Sequence, residues 1–260
     1  MATLNLAGTY VREVRASTAR IRENVLDWEH LPALHASSFA ACELVDSDAD
    51  GWRIRLVNQP GDARTAQVLK LRIAADTSRY CVTTETGPGA GSEIRVTVTP
   101  RGPRESGIVV EYHVPEADPA RLAMIGRGFV AIYKQLWDED EAMMLAREAA
   151  LAPRPRLAVP ARLDLGAEAD VRAALPLVFD FGPGRFRLVD LSGALAAHGL
   201  TCPHWLGPLD TGIDADGCIA CPWHGYRFDI ASGRSADGRN LRLAPAPAIR
   251  IENARVVACA

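Results

Sequence analysis

Two short stretches near the C-terminal end of this 260-residue chain carry residue types that bind metals. The first gives C-x-H at Cys202 and His204, and the second gives C-x-x-H at Cys221 and His224, after a gap of sixteen residues. Thiolate sulfur and imidazole nitrogen are ligands that suit iron and zinc. The sequence therefore predicts a metal centre held by one Cys and one His from each of two loops.

The mixed pairs favour an iron–sulfur cluster over zinc. Zinc also accepts two Cys and two His, but zinc fingers usually bring like ligands in pairs along the chain. One Cys and one His per loop is the ligand set of a Rieske [2Fe–2S] cluster, in which two His replace two Cys on one iron. Gly207 and Gly225 follow the two pairs, and glycine lets a loop fold tightly around an inorganic core. We therefore expect the chain to carry electrons.

A second candidate metal site lies near the N-terminus. Ser17 is the predicted N-cap of a helix that runs toward Glu29, and Pro32 should end or kink it. His30 and His35 stand on either side of this proline, so a bend there can aim both imidazoles at one point. Two imidazoles and one carboxylate, with open coordination positions, bind Fe(II) in oxygen-activating enzymes. The two histidines could also be an ordinary surface or core pair.

A predicted long helix, from about Asp118 to Ala150, supplies a carboxylate for this site. Its apolar residues recur every three or four positions and define a buried face. Asp140 falls four residues after Leu136 and three before Met143, close to that face, where a carboxylate is costly unless it is paired or bound to a metal. Its acidic neighbours could form a solvated helix face. The helical spacing puts Asp138 and Glu141 on the side of the helix away from the buried face, and Glu139 at the edge of that face.

The pattern along the chain predicts two domains, an N-terminal one over 1–151 and a C-terminal one over 167–260. A proline-rich linker over 152–166 separates them. The first domain is predicted to be α+β, an antiparallel sheet that grips the long helix around a cavity. Short strands with Gly-rich turns predict a small all-β second domain. The predicted strands are Thr9–Val14, Trp52–Val57, Gln67–Ile73, Tyr80–Thr84, Ile94–Thr99, Ile108–His113, Phe186–Asp190, Gly217–Ala220, Tyr226–Asp229 and Ala248–Val257.

Composition limits the partners of the chain. It is 48% hydrophobic and 23% charged, with a formal net charge of −3, which gives no basic excess for nucleic acid. No apolar run approaches the ~18 residues of a membrane span, so we expect no membrane association and a cytoplasmic location. No Gly-rich fingerprint follows a predicted strand to hold a flavin or nicotinamide. Electrons must therefore come from a separate protein.

These motifs resemble those of the Rieske non-haem iron oxygenases. The Cys/His pairs look like the Rieske domain of that family, and the pattern E-x3-D-x2-H-x4-H over residues 23–35 is similar to its mononuclear iron signature. Residues 139–144 are similar to the segment that carries its carboxylate ligand. The resemblance implies a helix-grip, START/Bet v 1-like catalytic domain in which His30, His35 and Asp140 hold Fe(II). It also implies that Asp27 links a cluster histidine of a neighbouring subunit to His30, and a homo-oligomer, with a trimer favoured.

The chain departs from the family pattern in its domain order, because the Rieske domain comes last. The arrangement looks permuted, so electrons could cross a subunit boundary or stay within one chain. The catalytic domain is also short, and Trp205 stands where an Arg often follows the first cluster histidine.

The expected function is that of an oxygenase. With O2 and electrons from a separate NAD(P)H-dependent reductase or ferredoxin, it would hydroxylate, dihydroxylate or demethylate a small apolar or aromatic substrate at a mononuclear Fe(II). The alternative is a non-catalytic Rieske electron-transfer or ligand-sensing protein with a START-like binding domain, in which His30 and His35 hold no metal.

Overall fold

A seven-stranded antiparallel sheet forms the frame of the N-terminal unit, Met1–Ala146. The computed structural model describes residues 3–153 and 157–260. The strands follow the order β1-β7-β6-β5-β4-β3-β2 across the sheet. Their bounds are β1 Asn5–Val14, β2 Phe39–Asp48, β3 Gly51–Asn58, β4 Gln67–Ile73, β5 Arg79–Thr86, β6 Glu93–Gly102 and β7 Glu105–Val114.

Helices lie between β1 and β2 and after β7. The first segment contains α1, Thr18–Leu26, a 3-10 turn at Trp28–His30 and the short α2, Leu31–Leu34, while a second 3-10 turn spans Ala63–Thr65. The long helix α3, Pro119–Leu151, follows the last strand. This is the helix-grip, START/Bet v 1-like α+β fold that the sequence predicted.

The core of this unit lies between the sheet and α3. Alternate residues of the central strands face the helix because side chains along a strand alternate between the two faces, as at Val96 and Val98 of β6. Phe129 and Trp137 of α3 pack against them. The helix also crosses β1 closely at Gly126, where an added Cβ would lie 1.9 Å from the backbone oxygen of Ala7. Glycine is therefore required at this crossing.

The predicted elements of the N-terminal unit are confirmed with three exceptions. Ser17 does cap α1, accepting a hydrogen bond from the backbone N–H of Arg20 at 3.2 Å, but the helix ends at Leu26 instead of running to Glu29. Pro32 does not end it and instead lies in the first turn of α2, where a missing N–H costs nothing. Strand β2 was not predicted, since it is an edge strand with almost every side chain exposed and shows no apolar alternation.

The C-terminal unit, Arg147–Ala260, is the small β domain that the sequence predicted. Three small sheets have the strand orders β14-β15-β8, β11-β10-β9 and β12-β13, and one short helix, α4, follows β8. The bounds are β8 Arg162–Ala167, α4 Glu168–Ala173, β9 Leu177–Phe181, β10 Gly184–Leu191, β11 Ala194–Gly199, β12 Cys218–Ala220, β13 Arg227–Asp229, β14 Ala248–Glu252 and β15 Arg255–Cys259.

Two predictions for this unit need correction. Strand β8 covers residues 162–166 of the predicted linker 152–166 and pairs with β15. The β domain therefore begins before residue 167. Residues 154–156 of that linker lie outside the described residues. The run Ala248–Val257 is a hairpin and not one strand, because Asn253 and Ala254 both take positive φ and turn the chain. No helix in the described part of the chain is both long enough and apolar enough to cross a membrane.

Candidate metal centres

The N-terminal unit brings two histidines and one carboxylate together. His30 ends the 3-10 turn, His35 follows α2 directly, and Asp140 projects from α3. Oδ1 of Asp140 lies 3.4 Å from Nε2 of His30 and 3.3 Å from Nε2 of His35. One donor atom from each residue falls within 4.8 Å of the other two. Donor atoms bound to one transition-metal ion lie about 3–3.5 Å apart, so the three side chains are spaced as ligands.

A carboxylate also lies beside the other nitrogen of each imidazole, within hydrogen-bond distance for His35 and further away for His30. Nδ1 of His35 lies 2.6 Å from Oε2 of Glu139, and Nδ1 of His30 lies 3.5 Å from Oδ2 of Asp27. Metal-binding histidines typically give their second ring nitrogen to such a partner, which fixes the tautomer and aims the free nitrogen at the metal. Both Nε2 atoms here are aimed at Asp140.

The charge balance of the site also suits a cation. Burial lowers the pKa of His30, but hydrogen bonds with Asp140 and Asp27 outweigh it and raise the pKa to about 9. Burial raises the pKa of Asp140, but hydrogen bonds with His30 and His35 hold it well below its usual range. Asn24 also donates a hydrogen bond to Oδ1 of Asp140 at 3.1 Å. A divalent ion would replace the protons that balance these buried carboxylates, so the donor set fits a transition metal such as Fe(II).

A cavity of about 620 Å³ opens beside these three residues, and they form part of its wall. Apolar and aromatic side chains from the sheet and from α3 provide most of the remaining wall. The aromatic side chains along the wall include Trp28, Trp52, Tyr80, Phe129, Tyr133 and Trp137.

Two acidic neighbours of Asp140 are placed differently from the prediction. Glu141, expected on the far side of α3, is 4% exposed because Arg12 of β1 and Arg15 just after β1 pack against it. It accepts hydrogen bonds from Nε and the backbone N–H of Arg15, at 2.8 and 3.0 Å, and pairs with Arg12. Glu139, expected at the edge, holds His35. The signal for Glu139 was present, since it lies three residues after the apolar Leu136.

The second centre is built from two tight turns in the β domain. The first lies between β11 and β12, where the N–H of Cys202 donates to the carbonyl of Gly207 at 2.8 Å. The second lies between β12 and β13, where the N–H of Cys221 donates to the carbonyl of Tyr226 at 2.9 Å. Each cysteine thus begins a turn that its own backbone closes five residues later.

The two turns need glycine for different reasons. Gly225 has a φ of +70°, and Leu206 occupies the same place in the first turn with a φ of +65°. Gly207 is needed for close approach, since an added Cβ would lie 2.8 Å from Sγ of Cys221 and 2.9 Å from the ring of Trp223. The left-handed Leu206 was not predicted, because leucine rarely adopts this conformation.

The four predicted cluster ligands converge between these turns. Cys202 and Cys221 are buried, and the rings of His204 and His224 lie 4.5 Å apart between centroids, at 78°. A hydrogen bond from Cys202 lowers the pKa of Cys221 to about 5, and the same contact raises the pKa of Cys202. Two sulfurs and two nitrogens facing one another fit a [2Fe–2S] cluster with mixed ligands.

Residues 162–247 match the family model of the Rieske [2Fe-2S] domain. The C-terminal unit carries a Rieske domain. Apoptosis-inducing factor 3 from Mus musculus and from Homo sapiens are each 35% identical to this chain over 77 residues, 30% of the chain. The match spans only 13% of the length of each of these relatives. A Rieske domain implies a [2Fe–2S] cluster and transfer of single electrons.

Solved structures resemble each half of the chain. A START superfamily protein from Mycobacterium smegmatis is 20% identical, with a TM-score of 0.44, and the alignment covers 52% of this chain and 97% of that one. Norcoclaurine synthase from Thalictrum flavum is 18% identical, with a TM-score of 0.42 and coverage of 55% and 88%. The ferredoxin of carbazole 1,9a-dioxygenase from Nocardioides aromaticivorans IC177 is 20% identical, with a TM-score of 0.32 and coverage of 42% and 98%. The fold described above rests on the strand order and not on these likenesses.

Proposed function

We propose that the chain is a Rieske-type oxygenase with a mononuclear Fe(II) held by His30, His35 and Asp140. The observation that carries this proposal is the convergence of both Nε2 atoms and one Asp140 oxygen on the wall of a largely apolar cavity. A protein that only transferred electrons would need neither a cavity nor a buried site of this composition. The presence of a Rieske domain in the same chain supports the oxygenase over other metal-dependent enzymes.

The two metal groups would divide the chemistry between them. When bound, the cluster held by Cys202, His204, Cys221 and His224 would supply single electrons, and Fe(II) would supply a site at which O2 is activated. A separate NAD(P)H-dependent reductase or ferredoxin would feed the cluster. The product would be a hydroxylated, dihydroxylated or demethylated small molecule.

The side chains around the proposed iron site orient its ligands and keep water out. Glu139 holds the imidazole of His35 through Nδ1, and Asp27 lies 3.5 Å from Nδ1 of His30, so the Nε2 atoms are left for the metal. Asn24 fixes one oxygen of Asp140. Asp27 is also the proposed link between His30 and a cluster histidine of a neighbouring subunit, in a homo-oligomer that we propose to be a trimer. The apolar wall would exclude water and leave the substrate as the occupant beside the metal.

Electron paramagnetic resonance on anaerobically purified, Fe(II)-reconstituted and chemically reduced protein with nitric oxide tests this proposal. We expect a Rieske signal together with a high-spin iron–nitrosyl signal. Replacing His35 with Ala should remove the second signal and substrate oxidation while the first signal persists. A Rieske signal without any nitrosyl signal would overturn the oxygenase proposal. It would instead favour a Rieske electron carrier or ligand sensor with a START-like binding domain.

A further inference from the structure

Three tyrosine hydroxyls on the cavity wall have no partner in the described part of the chain. Tyr80, Tyr112 and Tyr133 all line the cavity, and their hydroxyls neither donate nor accept a hydrogen bond within residues 3–153 and 157–260. Burial raises the pKa of Tyr80 and of Tyr133, and the charge of Asp140 adds to both shifts, so these phenols stay protonated as donors. Polar groups inside an apolar cavity are costly unless something accepts their hydrogen bonds. A ligand with oxygen atoms would satisfy them.

Tyr80 and Tyr112 fall at two ends of the cavity. Tyr80 packs against the same core cluster as Trp28 and Leu31, which stand on either side of His30, so it marks the metal end. Tyr133 lies between the two ends, because its ring packs on Phe129 with centroids 4.2 Å apart. Tyr112 stacks on Phe129, with ring centroids 4.5 Å apart. Phe129 precedes Asp140 by eleven residues of α3, which is about 16 Å along the helix. Tyr112 therefore marks the other end.

More uncharged polar groups surround Tyr112 and form what we call the distal polar cluster: Asn58, Gln67, Thr84 and Tyr112. A Cβ added at Gly89 would lie 3.8 Å from both the hydroxyl of Tyr112 and Nε2 of Gln67, which puts these groups around one point. The side-chain nitrogen of Asn58 donates to Oε1 of Gln67 at 2.9 Å. The side-chain oxygen of Asn58 accepts no hydrogen bond from the described residues. The buried hydroxyl of Ser92 donates to that of Thr84 at 3.1 Å.

No Lys or Arg lines the cavity among the described residues. Its acidic and imidazole side chains, Asp27, His30, His35 and Asp140, all belong to the metal end. A carboxylate or phosphate on a ligand would therefore be buried at the distal end without a counter-charge, which costs several kcal/mol. Neutral oxygen functions carry no such cost because the distal polar cluster can both donate to them and accept from them.

We propose that the cavity binds a neutral, elongated aromatic molecule with one oxygen function at each end. The oxygen at one end would accept a hydrogen bond from Tyr80 beside the metal ligands. The oxygen at the other end would contact the distal polar cluster. Along β5, Thr84 of this cluster lies four residues beyond Tyr80, which is about 13 Å. The assignment of the reacting end rests on the proposed function, whereas the preference for a neutral, doubly oxygenated molecule does not.

Isothermal titration calorimetry on the full chain with four stilbenes tests this proposal. The probes are trans-4,4′-dihydroxystilbene, 4-hydroxystilbene, unsubstituted stilbene and stilbene-4,4′-dicarboxylate. We expect the dihydroxy compound to bind at least tenfold more tightly than unsubstituted stilbene, with the monohydroxy compound between them, and the dicarboxylate to bind most weakly. Equal or tighter binding of the dicarboxylate, or no gain from the hydroxyls, would overturn the proposal.

Variants at the distal end assign the effect to named groups. Tyr112→Phe keeps the stacking on Phe129, and Thr84→Val keeps the side-chain shape. Each should weaken binding of the dihydroxy compound about three- to tenfold, the loss of one hydrogen bond, and leave stilbene binding unchanged. Thr83→Val, on the opposite face of β5, is the matched control and should change neither. Equal effects of Thr83→Val and Thr84→Val would contradict the assignment.

Repeating the titration with His35→Ala separates this proposal from the oxygenase proposal. If this variant loses the iron–nitrosyl signal and keeps the preference for the dihydroxy compound, both proposals stand. If the wild-type protein binds no mononuclear iron but keeps the preference, only the oxygenase proposal fails. If iron binds and the preference is absent, only the ligand proposal fails.

Discussion

The two metal centres of this chain are built in opposite ways. The Rieske ligands lie in two turns whose cysteines are nineteen residues apart, and backbone hydrogen bonds within each turn set their positions. In the N-terminal site, Asp140 lies more than a hundred residues after the two histidines. His30 comes from the 3-10 turn after α1, His35 follows α2 and Asp140 belongs to α3, and contacts between their side chains bring them together. The Rieske site is therefore a local centre, which can be recognised as a sequence motif. The N-terminal site is an assembled centre, which depends on the packing of the whole domain.

The largest expected effect separates the two centres completely. Replacing Cys221 with Ala should abolish the [2Fe–2S] cluster, because the remaining ligands cannot complete the coordination of both irons. The N-terminal site should still bind Fe(II), since His30, His35 and Asp140 all belong to the other unit and contact one another there. Visible absorption and iron per chain measure both. Cys218→Ala, at another buried cysteine on β12, is the control and should retain the cluster. A Cys221→Ala protein with an intact cluster spectrum would contradict the assignment of Cys221 as a cluster ligand.

The next effect tests how far the assembled site depends on its neighbours. Glu139→Gln should weaken Fe(II) binding about 10- to 100-fold, because the carboxylate that orients His35 is lost. Competition with a chromophoric chelator measures the affinity. Asp138→Asn is the control, since Asp138 is 54% exposed and contacts neither histidine. If both substitutions weakened binding equally, the effect would be general electrostatics and not orientation.

A third effect concerns the pair that anchors α3 beside the assembled site. Burial raises the pKa of Glu141, but hydrogen bonds with Arg15 and Arg12 outweigh it and lower the pKa below 4.5. The ionised Glu141 therefore stabilises the fold fully above pH 4.5, and this contribution is lost as the pH falls through the lower folded-state pKa. Glu141→Gln should reduce the free energy of unfolding by about 1–3 kcal/mol at pH 7.

Urea unfolding at pH 7 and pH 3 measures this difference. The gap between Glu141→Gln and wild-type protein should narrow at the lower pH, where Glu141 of the wild type also loses its charge. The Rieske spectrum should be identical in the two proteins. A gap that stays constant with pH would mean that packing, and not the charge, accounts for the loss of stability.

The smallest effect concerns the local centre. The guanidinium of Arg239 lies 3.7 Å from the ring centroid of Tyr226, and this ring stacks on His204 with centroids 4.6 Å apart. Positive charge near a cluster favours its reduced form, so Arg239→Met should lower the reduction potential by about 10–50 mV. A redox titration measures it, with Arg255→Met on β15 as a control. An unchanged potential in Arg239→Met would mean that solvent screens the charge fully.

The sequence predicted those features that depend on short-range pattern. The Cys/His pairs needed only local spacing, and Asp140 stood out because it sits beside apolar residues at helical intervals. The burial of Glu141 could not be predicted, since it follows from contacts with Arg12 and Arg15 near the other end of the domain, and no local pattern encodes those contacts. Strand β2 was missed for a related reason, because its side chains face solvent and only the partner β3 defines it.

The cavity was the least predictable part of the site. Its existence followed from the predicted fold, but the tyrosines that give it polarity look like ordinary core residues in the sequence. Tyr80 and Tyr112 come from strands β5 and β7, which are separated in the sheet by β6, and Tyr133 comes from the helix opposite them. Only the three-dimensional arrangement turns these three residues into one chemical surface.

The close crossing at Gly126 has a consequence for how this domain can vary. It gives α3 a fixed reference point on β1, and Asp140 lies fourteen residues further on, almost four complete turns. Inserting or deleting one residue between these positions would rotate Asp140 by about 100° around the helix axis, away from both histidines. The length of this segment is therefore as constrained as the identity of the ligand itself, whereas the hairpin loop at 87–91 has no such register to keep.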